Sequence, residues 1–124
     1  MRRIKSKGTK PEMLVRRLVH GMGYRYRLHR SDLPGKPDLV FAPHRKVIFV
    51  DGCFWHLHDD PNCPDRREPQ SNQDYWKPKL ARNRQRDAAH ITALTAAGWS
   101  VLVIWECETR NQTKLTESVR AFLE

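Results

Sequence analysis

No stretch of this chain comes near the ~20 consecutive apolar residues that a membrane-spanning helix needs, which excludes an integral helical membrane protein. Cysteine is scarce: three residues, an odd number, do not close a complete disulfide framework. In a reducing compartment clustered cysteines serve metals more often than bridges. Internal repeats and low-complexity tracts are absent, and 124 residues make one domain with one modest core. Acid is short as well, 14 Asp and Glu against 23 Lys and Arg, for a net charge of +9. That surplus favours a polyanionic partner, nucleic acid before membrane, although basic surfaces also occur on proteins that never meet DNA. The basic start, Met1 to Lys7, has no apolar run behind it and lacks the pattern of a secretory leader. The expectation is a flexible basic arm over residues 1–8, a folded domain over 9–124, and a cytoplasmic, monomeric protein.

Thr9-Lys-Pro-Glu12 is a good helix start, with Thr9 as cap, Pro11 in the first turn and Glu12 where a capping box wants an acid. Leu14, Val15, Leu18, Val19 and Met22 follow at helical spacing, and Gly21 and Gly23 end the run. Tyr24 to Leu28 alternates like a strand. Ser31 to Gly35 is turn chemistry. Pro37 to Phe41 and Lys46 to Val50 read as two strands joined by a short turn at Pro43-His44-Arg45, an antiparallel hairpin. From Gly52 to Asn72 there is no period, and Pro61, Pro64 and Pro69 interrupt the chain. A structureless stretch of that length calls for a metal clip or a function. Helix resumes near Ser71 to Asp74, with Pro78 expected to kink or restart it. Leu80, Ala81, Arg84, Ala88, Ile91 and Leu94 mark one face, and Gly98 stops it. Ser100 to Trp105 is a further buried strand, and Thr116 to Leu123 a closing helix. The sum is a small α/β domain, a central sheet with helices on its faces.

Asp38 and Asp51 fall at the edges of the two hairpin strands. Adjacent strands lie about 4.8 Å apart, so carboxylates at matched ends can share one cation. Mg²⁺ suits such a pair, because it takes one or two carboxylates plus waters and substrate phosphates. Both residues equally fit ordinary turn caps. Cys53, His58, Cys63 and Cys107 are every cysteine plus one nearby histidine, a Cys₃His set for a closed structural Zn²⁺ site. Three unpaired buried cysteines would look the same from sequence. Phe54 and Trp55, joined by Trp76, are aromatics that can insert between base steps, or simply pack in the core. His56 has a side chain suited to moving a proton near neutral pH; it is also open to a zinc role, with His58 then released. Lys79, Arg82 and Arg86 share a helix face that can hold phosphates, or a face that is merely solvated.

Taken in order, Leu33-Pro-Gly-Lys-Pro-Asp38, Val47-Ile-Phe-Val-Asp-Gly-Cys-Phe-Trp-His56, Tyr75-Trp76 with Lys79, Asn83 and Arg86-Asp87, then Gly98-Trp99 and Trp105-Glu-Cys107, resemble the very short patch repair endonucleases. The matches run over roughly residues 9–108. The resemblance implies a restriction-endonuclease-like fold with a central mixed sheet and a structural zinc site. It implies hydrolysis of one phosphodiester 5′ of the thymine in a T·G mismatch, the lesion left when 5-methylcytosine deaminates. By resemblance Asp38 matches the principal Mg²⁺ ligand, Val50 a ligand through its backbone carbonyl, and Glu12 an acid acting through water. His56 matches a catalytic histidine and Asp87 the acid that orients it. Cys53, His58, Cys63 and Cys107 match the zinc ligands, and Phe54, Trp55 and Trp76 the wedge beside the mismatch. Mismatch-repair proteins and a cytosine methyltransferase are the partners such enzymes work alongside.

The chain departs from that pattern where a Thr-His pair often precedes Gly-Cys; here it is Val50-Asp51. A carboxylate at 51 brings the site closer to a two-acid nuclease. Cys53 stands where such nucleases usually carry Lys, and Asp59-Asp-Pro-Asn62 replaces a histidine run. Three functions therefore stay open: the mismatch nickase, a general or restriction-type endonuclease, and a zinc-stapled DNA-binding module without catalysis.

Overall fold

The structure is a computed structural model that describes residues 10–52 and 73–124, the side chains of Gln73, Asp74 and Trp76 excepted. The expected basic arm and the Pro-broken segment around His56 lie outside the described residues.

The apolar spacing of Val15 and Val19 forms a helix, α1, over Lys10–Gly21. Gly23 ends the turn behind it at φ +91, a left-handed conformation that glycine adopts without a Cβ penalty. Four strands follow as one sheet: β1 (Arg27–Leu28), β2 (Leu39–Phe41), β3 (Lys46–Asp51) and β4 (Ser100–Trp105), in the order β1-β2-β3-β4. β1, β2 and β3 pair antiparallel, whereas β3 and β4 pair parallel, so the sheet is mixed. The hairpin read from the sequence is the β2–β3 pair, with Leu39 opposite Ile48. Its turn carries Arg45 in the left-handed region at φ +55. A parallel neighbour needs a crossover, and the helix α2 (Gln73–Ala96) provides it.

Period-two alternation sorts the strand residues between two layers. Leu39, Phe41, Ile48 and Ile104 face α1 and the closing helix α3 (Gln112–Leu123), where they pack with Val15, Val19, Leu115, Val119 and Leu123. Val40 and Val47 face the other way, onto Leu94 of α2 and Trp99. Each fully buried aliphatic or aromatic side chain contributes about 1.5–3 kcal/mol, so among the described residues the α1–α3 side contributes more apolar burial.

Four local readings are corrected. The strand expected from Tyr24 pairs only over Arg27–Leu28, because Tyr24 and Tyr26 turn their rings edge-on to Phe41, at 6.3 and 6.2 Å. The helix does not restart at Pro78, which sits inside α2 and removes one intrahelical hydrogen bond there. α3 starts at Gln112, ahead of the expected Thr116, because the Asn111 side chain accepts from the Lys114 N–H at 3.1 Å and caps it. The inward stripe of α2 is also different. Ala81, Arg84 and Ala88 are exposed, and Asn83, Asp87 and His90 are half-buried between Leu80 and Leu94. The helix therefore turns a polar band towards the sheet midway along its length.

Candidate active site

The segment from His29 to Asp38 shapes the candidate site. It leaves β1, makes a tight excursion with Gly35 at φ +77 and Lys36 at φ +48, and returns as β2. Gly35 comes so close to α2 that a Cβ there would stand 3.0 Å from the His90 ring. Pro37, fully buried, locks the re-entry. The backbone N–H of His29 donates to the Asp38 carbonyl at 3.3 Å, so the two ends of the excursion are tied together.

This closure brings three side chains to one place. Glu12, from the first turn of α1, is only 1% exposed despite its charge. His29 Nε2 lies 3.1 Å from Glu12 Oε1 and 3.6 Å from Asp38 Oδ1. Arg16 Nη1 stands 3.6 Å from Glu12 Oε2. Asp38 Oδ2 accepts the Val50 N–H at 2.7 Å, which fixes that carboxylate at the end of the β2–β3 pair. One donor atom from each of Glu12, His29 and Asp38 lies within 4.8 Å of the others.

Burial pushes the Asp38 carboxyl up to about 7, with the negative charges of Glu12 and Asp51 adding to the rise; the Val50 N–H and the His29 ring pull the other way. Acids this close repel in a low-dielectric site, and a divalent cation removes the conflict. Carboxylate oxygens and one imidazole nitrogen are a donor set that such ions accept. The residues present therefore fit a divalent cation on their own chemistry.

Asp51 ends β3, half-buried, and lines a small cleft with Asp87, His90, Ile91, Phe49 and Val103. Asp38 and Asp51 thus stand close enough to interact electrostatically, while Asp51 also faces the polar band of α2. Asp87 is half-buried in that band. Lys79 is half-buried with its Nζ 5.5 Å from the Tyr75 ring, and Arg82 and Arg86 are exposed. Cys107 is half-buried in the 3-10 turn Glu106–Arg110 that follows β4. Of the remaining expected site residues, Cys53, Phe54, Trp55, His56, His58 and Cys63 lie outside the described residues, as does the Trp76 side chain. His29 was not singled out from sequence. A lone histidine after a two-residue strand has no period to mark it; its position before turn residues, next to a pairing partner of Leu39, was the available signal.

The chain matches the family model described as DNA mismatch endonuclease Vsr over residues 1–62. It is 48% identical to the type II nicking enzyme V.XorIIP of Xanthomonas oryzae pv. oryzae, over 100% of this chain and 89% of that protein. It is 38% identical to the DNA mismatch endonuclease Vsr of Escherichia coli K12, over 94% of this chain and 73% of that one. Among solved structures it resembles the catalytic domain of the homing endonuclease I-Bth0305I, with a TM-score of 0.63 at 19% identity, covering 93% of this chain and 94% of that domain. That last likeness shows the fold: a mixed sheet with helices on both faces, of the restriction-endonuclease-like kind.

Proposed function

The chain belongs to the Vsr family of DNA mismatch endonucleases and is a DNA endonuclease; from that premise we propose that it nicks one strand of duplex DNA 5′ of the thymine in a T·G mismatch, with Mg²⁺ as its catalytic ion. The observation that carries this reading is the Asp38 carboxylate, clamped by the Val50 N–H at 2.7 Å amid the charges of Glu12 and Asp51. In an extended strand a residue's N–H and C=O point to the same side, so the Val50 carbonyl is directed towards Asp38 as well. Asp38, Asp51 and the Val50 carbonyl would hold the ion, with Glu12 acting through water. When bound, a divalent cation supplies Lewis acidity: it neutralises phosphate charge and favours ionisation of water.

The chain's own groups do the rest. His56 is assigned to proton transfer at the scissile phosphodiester, and Asp87 to orienting its ring. Cleavage of the P–O3′ bond with water leaves a 3′-hydroxyl and a 5′-phosphate, the ends from which resynthesis can start. Phe54, Trp55 and Trp76 are assigned to wedging beside the mismatch, and Lys79, Arg82 and Arg86 to the phosphates. Cys53, His58, Cys63 and Cys107 would hold a structural Zn²⁺. Cys107 follows Trp105 by two residues, and Trp105 is the register partner of Asp51, which Cys53 follows by two in sequence. A carboxylate at Asp51, where the family pattern has histidine, favours one second reading, an endonuclease without mismatch specificity.

The test is strand nicking on three otherwise identical duplexes, carrying T·G, T·A or C·G, with and without Mg²⁺. The proposal expects a nick on the thymine strand of the T·G duplex alone, and only with the metal. Equal cleavage of the paired duplexes selects the second reading, and no cleavage of any duplex rejects both.

A further inference from the structure

We propose that His29 is itself a ligand of the catalytic cation, so that the site is a mixed nitrogen–oxygen one that holds Mn²⁺ in preference to Mg²⁺. The inference rests on the nuclease reading above and departs from it in two ligands, adding His29 and bringing Glu12 into direct contact with the ion. One imidazole nitrogen faces two carboxylates: Nε2 is 3.1 Å from Glu12 Oε1 and 3.6 Å from Asp38 Oδ1. The first distance fits a hydrogen bond and the second an ion pair. A shared ion explains both. Two donors at right angles around an octahedral ion, each about 2.1 Å from it, stand about 3 Å apart. The His29–Glu12 and His29–Asp38 separations, 3.1 and 3.6 Å, lie close to that spacing.

The backbone supports the same conclusion. His29 is held at φ +47, a left-handed conformation that costs on the order of 1 kcal/mol or more for a residue with a Cβ. Its N–H is spent on the Asp38 carbonyl at 3.3 Å, so the fold fixes the ring relative to the very acid it would help to complete. Mg²⁺ prefers oxygen and dehydrates reluctantly, whereas imidazole suits ions further along the transition series. Mn²⁺ accepts both donor types.

The experiment is pulsed electron paramagnetic resonance on the full chain loaded with Mn²⁺ alone, beside titrations of Mn²⁺ and Mg²⁺ affinity. The wild type is expected to show nitrogen modulation on the Mn²⁺ signal that changes pattern when histidine is supplied as the ¹⁵N form. In His29→Gln the modulation disappears while Mn²⁺ still binds, because the amide offers an oxygen instead. The ratio of Mn²⁺ to Mg²⁺ affinity should fall about tenfold or more, since loss of even an indirect support costs ~10–100-fold in metal affinity. Affinity loss alone would fit an indirect role, so the nitrogen coupling decides. No coupling in the wild type, or coupling that persists unchanged in His29→Gln, overturns the proposal. Should His29→Gln not fold, His29→Asn read by the same nitrogen coupling keeps the assignment testable. Failure of the nuclease reading looks different: the wild type then nicks no duplex in either metal.

Discussion

The two layers that cover the sheet are built for different ends. On the α1–α3 side, Val15, Val19, Leu39, Phe41, Ile48, Leu115 and Val119 interlock in one continuous apolar core. On the α2 side the buried set described is small, Val40, Val47, Leu94 and Trp99, and the helix then presents Asn83, Asp87 and His90. Asp51 belongs to the second layer and Glu12 to the edge of the first, with Asp38 between them. The candidate site thus lies at the seam, where the apolar half meets the polar one. Strength and chemistry are divided between the faces of one four-stranded sheet.

The sharpest way to break that division is to remove the acid at the seam. Asp38→Ala should lower nicking of a T·G duplex about a thousandfold, several kcal/mol of charge stabilisation at 1.4 kcal/mol per decade. Its thermal stability should stay near that of the parent, because relief of a buried repelling charge is set against loss of the hydrogen bond from the Val50 N–H. Nicking at the parental rate would remove Asp38 from the centre of the site. Phe41→Ala is the opposite probe. It empties a fully buried position in the α1–α3 core and should cost about 3–5 kcal/mol in urea unfolding, with any loss of nicking following the loss of fold. A cost under about 1 kcal/mol would mean that the apolar layer is not the stabilising one.

The pH dependence sharpens the contrast further. Burial holds the proton on the folded Asp38 carboxyl to about 7, against the ordinary 3.8 that applies in the unfolded chain. Below the lower value this group leaves the folded state unpenalised. Between the two, the unfolded chain is ionised and the folded one is not, so stability falls as pH rises, until the loss is complete above 7. Without added Mg²⁺, Asp38→Asn should therefore gain stability relative to the parent on going from pH 5 to pH 8, by up to a few kcal/mol. The stabilisation of the parent by Mg²⁺ should grow over the same range. Parallel stability–pH curves for parent and variant would show that Asp38 is not strained in the folded state.

The difference between the layers also explains what the sequence discloses. α1 and the strands β2, β3 and β4 were legible because burial on one face or two writes a period of 3.6 or 2 into the residues. Asp38 was legible because a hairpin puts its strand ends side by side. The polar band of α2 was not, because a search for apolar spacing passes through Ala81, Arg84 and Ala88 and misses half-buried Asn83, Asp87 and His90. His29 was hidden for a related reason. Its contacts with Glu12 and Asp38 span 17 and nine positions and depend on a two-residue pairing, Leu28 with Leu39, that no local pattern announces. The candidate groups sit where local rules are suspended, in a left-handed turn and on a helix face that is neither apolar nor fully solvated.

The smallest effect expected concerns the outer side of the α2 layer. Arg82 and Arg86 are exposed four positions apart on one helix, the spacing that places two side chains on the same face. If that face meets phosphates, each arginine displaces condensed counterions on binding, and the logarithm of affinity depends on that of salt with a slope near −0.9 per contact. The double change Arg82→Gln with Arg86→Gln should weaken DNA binding modestly at low salt and make the salt slope less steep by about 2. Paired and mispaired duplexes should be affected alike, because phosphate contacts position the protein without reading bases. Fluorescence anisotropy across a salt series measures both quantities. An unchanged slope would assign these arginines to solvent, and would confine the DNA-facing part of the layer to its inner, polar band.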